Sequence, residues 1–229
     1  VYGRDAVATA NFVNAPERFV SRSTRWEFSA DKANKLLDDA GWKRGADGIR
    51  EKNGKKLKLV FQTATNPLRQ RTQAVFKQAC EKAGAAVELK SVDSSVFFSS
   101  DPGNPDTFGH FYADMQMYTS PLTQPDPALF MQQFLPEHVA QRSNKWLGRN
   151  VTRWVNQEFE GTFKAAETEV DPVKRATLLI KLNDLVINNQ VVIPVIVRKI
   201  LAGSSKRLET RLSSWDTYLW NLASWYRSA

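Results

Sequence analysis

Apolar positions along the chain change period several times, and each change predicts a different element. In "SADKANKLLDDAGW" Leu36 and Leu37 fall on one helical stripe, Ser29 stands at the N-cap position and Gly41 ends the run. "IREKNGKKLKLVFQTA" then places Asn53-Gly54 where a two-residue type I′ hairpin turn fits. Leu57–Thr63 alternates as a strand. Pro67 opens a helix with apolar or small residues at Ala74, Val75, Ala79, Cys80 and Ala83. Gly84 closes that helix, and Ala86–Val92 is the next strand. A strand–helix–strand unit of this length predicts a right-handed crossover between two parallel strands.

Further on, "SSVFFSS" predicts a short helix or turn, followed by an irregular proline-glycine segment and an alternating strand over Phe111–Tyr118. Asp126-Pro127 has the form of an N-cap and first helical residue, a pattern repeated by Asp171-Pro172. Trp154–Glu169 and Pro172–Asn188 carry apolar residues at helical spacing. Val191–Val197 predicts a buried strand, and Lys199–Gly203 another. The first 28 residues show no sustained period and predict extended chain lying over something else. At the other end "SSWDTYLWNLASWYR" crowds seven large apolar residues together, so it is expected to dock on this chain or on another one.

Composition narrows the function classes. The 229 residues, 42% of them hydrophobic, suffice for one large domain or two smaller ones. The 32 basic and 24 acidic residues leave a net charge of +8. The basic residues are scattered, however, and the densest cluster, "KNGKKLK", sits on the hairpin, so a solvated surface is expected and no nucleic-acid partner. The single cysteine, Cys80, excludes an internal disulfide and fits a half-buried helix position better than a reactive thiol. The longest apolar run, "VVIPVIV", is far short of the roughly 20 residues of a membrane helix. The opening "VYGRDAVATANF" has no signal-peptide pattern, so any targeting segment is expected outside this chain.

Signs of catalysis are few. His110 and His138 have no metal-ligand spacing; nucleophile-elbow, phosphate-loop and dinucleotide motifs are absent; and Asp38–Asp39 is expected on an exposed helix face. No metal, cofactor or catalytic residue is expected. A binding module has better support, because polar groups gather beyond a strand end. Thr119–Pro125, between the Phe111–Tyr118 strand and the Asp126-Pro127 helix start, holds two prolines, three hydroxyls and no charge. Its prolines favour extended backbone with free amides and carbonyls, suited to strand-like pairing with an extended ligand.

"FSADKANKLLDDAGWKRGADGIREKNGKKLKLVFQT" resembles the opening of the second lobe in the oligopeptide/dipeptide class of solute-binding proteins, which serve bacterial ABC importers. The resemblance continues through "RQRTQAVFKQACEKAGAAVELKSVDSSVFFS", "YADMQMYTSPLTQPDPALF", "VDPVKRATLLIKLNDLVINNQVVIPVIVR" and "LWNLASWY". Each piece is loose, but their order covers nearly the whole chain. It implies an α/β fold: a periplasmic-binding-protein-like (class II) lobe with a mixed sheet flanked by helices. Residues 1–28 would be a lead-in, 29–207 the second ligand-binding lobe, and 208–229 an aromatic tail returning to the first lobe. The chain would be the C-terminal half of an exported, periplasmic protein. Its partners would be a peptide or peptide-like solute, the permease subunits of an importer and an N-terminal lobe. A solute-sensing or docking module for an opine-, sugar- or metal-chelate-like ligand is the alternative, and a degenerate hydrolase a third.

Peptide-binding members carry a pattern similar to "YGWTADYPDPDSF". Aligned without gaps, Tyr118 matches its Tyr, Thr119 its Gly, Ser120 its Trp, Thr123 its Asp, and Pro125-Asp126-Pro127 its Pro-Asp-Pro. In the family that Gly-Trp backbone pairs with the ligand and that Asp receives a terminal ammonium. Removing one partner of a buried ion pair costs on the order of 3–5 kcal/mol, against about 1 kcal/mol for a hydroxyl hydrogen bond. With Ser120 and Thr123 in these places, the resemblance implies a capped or modified peptide, a conjugate or another polar solute. Alternatively Thr123 merely ends a loop, and an acidic residue elsewhere takes the ammonium. The expected ligand-binding residues are Tyr118, Thr119, Ser120, Pro121 and Thr123, with His110, Asn150 and Arg153. Helix capping is the competing role for both Asp126 and Asn150, and core packing for Met117.

Overall fold

Lys58–Ala64 is the centre of the largest sheet in the computed structural model, which describes residues 1–198, 202–211, 213, 215 and 219–228. In chain order the elements are β1 (Ala6–Ala8), α1 (Ala30–Asp39), β2 (Lys43–Arg44), β3 (Arg50–Lys52), β4 (Lys55–Lys56) and β5 (Lys58–Ala64). Then come α2 (Pro67–Lys82), β6 (Ala86–Val92), α3 (Ser94–Phe97), β7 (Met115–Met117) and α4 (Ala128–Met131). Last are α5 (Gln157–Thr168), α6 (Pro172–Asn188), β8 (Ile196–Arg198), β9 (Leu208–Glu209) and β10 (Tyr226–Arg227), with short 3-10 turns between several of them. The chain divides into two units, one of residues 1, 25–119 and 134–155, the other of 2–24, 120–133 and 156–229. These units interleave along the chain.

In the first unit β5 pairs in parallel with β6 on one side and β7 on the other. The register Lys58↔Ala86 to Ala64↔Val92 is the parallel pair expected of the strand–helix–strand unit. Asn66 starts α2 by accepting from the amides of Leu68 and Arg69, with Pro67 next to it. Phe61, Gln62, Thr63 and Ala64 are all buried, as a strand covered on both faces requires. Ala64, Val92 and Phe97 form a core cluster flanked by Val96, Phe108 and Tyr118. The hairpin also forms as expected: Asn53 and Gly54 have φ of 52° and 72°, and Lys52 pairs with Lys55.

In the second unit α5 packs on α6 through Phe159, Phe163 and Ala166 on one side and Leu179, Leu182 and Val186 on the other, all buried. The lead-in is tied to α6 by the fully buried Asn183, whose Oδ1 accepts from the amides of Phe12 (2.9 Å) and Val13 (3.1 Å). Its Nδ2 donates to Asn11 Oδ1 at 2.8 Å. Phe12 stacks on Phe130 with centroids 4.4 Å apart. Asp171 caps α6 through the amides of Val173 and Lys174, as the Asp-Pro pattern predicts.

Several expectations are corrected. The Phe111–Tyr118 strand shrinks to β7, because Phe111 is left-handed (φ 46°) and the Asp114 carboxylate takes the Val60 amide at 2.7 Å. Val191–Val197 is neither buried nor a strand throughout: only β8 pairs, with the three-residue β1, and Pro194 has no N–H to extend the ladder. Lys199–Gly203 lies mostly outside the described residues. The helix expected from Trp154 begins at Gln157, where Asn156 caps it. Leu36 is exposed rather than on a buried stripe, since α1 buries no residue. Asp38 is exposed on that helix, as expected, and it also pairs with the buried Arg50, whose guanidinium donates to the carbonyls of Ala83, Trp42 and Asn34. Parallel and antiparallel pairings fall in separate sheets among the described residues.

Candidate functional site

The segment leaving β7 begins as core and ends as open chain. Thr63 Oγ1 donates to the Met117 carbonyl at 2.6 Å, fixing the strand end. Tyr118 packs 5.8 Å from Phe108 and 6.5 Å from Phe97 between ring centroids, and burial pushes its phenol above its ordinary pKa. Its ring is thus largely core. Thr119, the last residue of the first unit's segment here, is exposed. Ser120, Pro121 and Thr123 belong to the second unit; Ser120 is half-buried, the other two exposed. Among the described residues, the hydroxyls of Ser120 and Thr123 make no hydrogen bond, and the amides and carbonyls of residues 120–125 make no backbone hydrogen bond. Such groups are left to water or a ligand.

Asp126 is not the N-cap. Pro127 holds that place, and Asp126 sits one residue earlier, its Oδ1 accepting from the Ala128 amide at 2.9 Å. Arg175 of α6 grips the same carboxylate with both Nη1 and Nη2. Burial raises the Asp126 pKa, but the Arg175 and Ala128 hydrogen bonds outweigh it and hold the carboxyl below its usual value. A four-residue helix needs this tether. The consequence is that the carboxylate nearest Thr123 in sequence is already neutralised.

The remaining expected residues meet elsewhere, within the first unit. His110 is buried, its Nδ1 2.7 Å from Thr107 Oγ1 and its ring 4.7 Å from that of Trp146. Arg153 donates from Nε to the Ala140 carbonyl (3.0 Å) and from Nη2 to those of His110 (2.6 Å) and Gly109 (3.4 Å). Its guanidinium lies 5.2 Å from the Trp146 ring centroid. Asn150 is buried and caps no helix; its Nδ2 donates to the carbonyls of Trp154 (2.8 Å) and Phe134 (3.3 Å). So His110, Asn150 and Arg153 come together, but their polar groups mostly hold the fold. Gly109 permits the approach: a Cβ there would lie 2.6 Å from the Trp146 carbonyl oxygen.

Sequence reasoning missed the other members of this cluster. Tyr112, 57% exposed, meets Trp146 edge-on at 5.9 Å. Phe111, Lys145, Trp146 and Arg153 all have positive φ, between 46° and 61°. Left-handed non-glycine residues cost of the order of 1–3 kcal/mol each and persist where surroundings over-determine them. Beside the cluster opens a pocket of about 490 Å³, lined among others by Pro105, His110, Tyr112, Arg142, Lys145 and Trp146. No spacing signal marks it, since its two walls lie some thirty residues apart; only the aromatic-basic composition of "NKW" and "HFY" was available. Cys80 lies elsewhere, on α2, and burial pushes its thiol pKa up, which fits an inert role.

Residues 1–138 match the family described as bacterial extracellular solute-binding proteins, family 5 Middle. An oligopeptide-binding protein of Lactococcus lactis is 44% identical over 61 residues, 26% of this chain and 10% of that protein. The Thermus thermophilus oligopeptide-binding protein solved with a pentapeptide superposes with a TM-score of 0.71 at 24% identity, over 83% of this chain and 33% of the other. The Bacillus subtilis oligopeptide-binding protein AppA, solved with a nonapeptide, gives 0.71 at 20% identity over 98% and 43%. The chain therefore spans well under half the length of these relatives, and the likeness to the solved structures shows a shared α/β solute-binding fold.

Proposed function

The chain belongs to the bacterial extracellular solute-binding proteins, family 5, and we propose that it forms the ligand-binding lobe of the substrate-binding component of a peptide-type ABC importer. It captures a peptide or peptide-like solute outside the cytoplasmic membrane, together with an N-terminal lobe, and hands it to permease subunits without a catalytic step. The relatives named for oligopeptide binding, and those solved with peptides, support this class of cargo. Residues 29–207 supply the lobe, 208–229 the returning tail. The described part of that tail leaves Leu219, Trp220, Leu222 and Tyr226 at least half exposed, consistent with a further surface to cover.

Thr119, Ser120, Pro121 and Thr123 form the ligand-facing wall, backed by Tyr118. The observation that carries this assignment is the run 120–125, whose backbone and hydroxyl groups have no partners among the described residues. His110, Asn150 and Arg153 support the first unit, where their polar groups hold the fold. Because Thr123 has no charge and Asp126 is taken by Arg175, this wall offers no free carboxylate for an ammonium. The ligand it suits carries a capped or otherwise neutral group there. Calorimetry on the intact protein, comparing a linear peptide with its N-acetylated form, tests this. Equal or tighter binding of the acetylated form is expected; micromolar affinity for free peptides that vanishes on acetylation would overturn it.

A further inference from the structure

The pocket beside Trp146 is built wholly within the first unit and has its own chemistry. Apart from the phenol of Tyr112, its ionisable lining is Arg142, Lys145 and His110, with no carboxylate. Arg142 and Lys145 are exposed, and neither forms an ion pair among the described residues, whereas ten other basic side chains do. Two unpaired cations on one concave rim raise the local concentration of anions. The aromatic side is equally specific. Tyr112 and Trp146 stand at 80° to each other, leaving the Tyr112 ring more than half exposed. The Trp146 indole N–H has no acceptor among the described residues.

The walls are fixed rather than loose. The loop carrying Pro105 and His110 is held to the sheet by Gln62, donating to the Asp106 carbonyl at 3.1 Å, and by Gln116, donating to the Phe108 carbonyl at 3.0 Å. Lys90 pairs with Asp106 at 2.5 Å. The opposite wall is turned by the consecutive left-handed residues Lys145 and Trp146, braced by Arg153. Strained backbone kept in place around a concave, cation-rimmed aromatic surface is the pattern of a built site.

We propose that this pocket binds small aromatic carboxylates. The ring packs on Tyr112 against the edge of Trp146, and the carboxylate receives the indole N–H and the charges of Arg142 and Lys145. This proposal does not rest on the proposed solute wall and stands or falls independently of it. The test titrates the 229-residue chain with 4-hydroxyphenylacetate by calorimetry. Saturable one-to-one binding is expected, about tenfold weaker for the neutral amide 4-hydroxyphenylacetamide and for the non-aromatic anion cyclohexylacetate, the tenfold being a loss of about 1.4 kcal/mol. R142Q/K145Q and Y112A should each weaken binding at least as much while leaving the melting temperature unchanged, since these side chains are exposed. Thr123→Asp should leave it untouched. Absence of saturable binding up to about 5 mM, or binding indifferent to R142Q/K145Q and to charge removal from the probe, overturns the assignment.

Discussion

Residues 120–125 and the surroundings of Trp146 spend their polar groups in opposite ways. In the first, prolines and hydroxyls hold open backbone whose amides and carbonyls have no partners among the described residues. In the second, a guanidinium, an imidazole and a carboxamide are each hydrogen-bonded inside the fold, and four left-handed residues are held in place by them. Substitution in the first region should therefore change what is bound and barely touch stability. In the second, substitution of the hydrogen-bonded His110, Asn150 or Arg153 should damage the fold before it alters recognition. The same residue types, polar and uncharged or basic, carry opposite roles because their partners differ.

The largest effect should come from Arg153→Ala. It strips donors from the carbonyls of Ala140, Gly109 and His110 and removes the brace on Trp146, so a loss of about 2–4 kcal/mol is expected from urea unfolding. Gly109→Ala comes next, about 1–3 kcal/mol, because its Cβ would stand 2.6 Å from a backbone oxygen that cannot rotate away. A loss below about 0.5 kcal/mol for either would erase the contrast between the regions.

Arg175→Gln tests the border of the open run. The pair it breaks is partly exposed, so about 1 kcal/mol is expected after solvent screening. The Asp126 carboxyl is held below its ordinary value, so the pair's contribution is complete above pH about 4 and fades as the pH falls through the lower folded value. Parent and Arg175→Gln should thus differ in melting temperature at neutral pH and converge in acid; a gap that persists at low pH would assign the effect to packing. Smallest of all, Ser120→Ala and Thr123→Ala should each shift stability by less than about 0.5 kcal/mol.

Legibility in the sequence followed the reach of each interaction. The Asn53-Gly54 turn, the caps at Ser29 and Asp171 and the β5–α2–β6 unit depend on neighbours within one element or one crossover, and all formed as read. Arg50 was invisible as a core residue because its acceptors come from Asn34, Asp38, Trp42 and Ala83, three separate stretches. Asp126 was misplaced by one position for the same reason: a local rule favours Asp before Pro as a cap, but a distant arginine decides where the carboxylate points. Val191–Val197 read as a strand by composition, yet a strand extends only as far as its partner, and β1 has three residues. The unpaired backbone of 120–125 was legible because Pro121 and Pro125 disfavour ladder pairing. The Trp146 pocket was not, since it exists only where residues 102–112 and 142–146 meet.

The central claim, that the wall formed by 119–123 recognises ligand without a carboxylate, is tested most directly by installing one. Intact protein and Thr123→Asp are titrated by calorimetry with the same linear peptide, free and N-acetylated. The parent is expected not to prefer the free amine, while Thr123→Asp gains about tenfold or more for the free form alone. A parent that already loses tenfold on acetylation, with Thr123→Asp adding nothing, would contradict it.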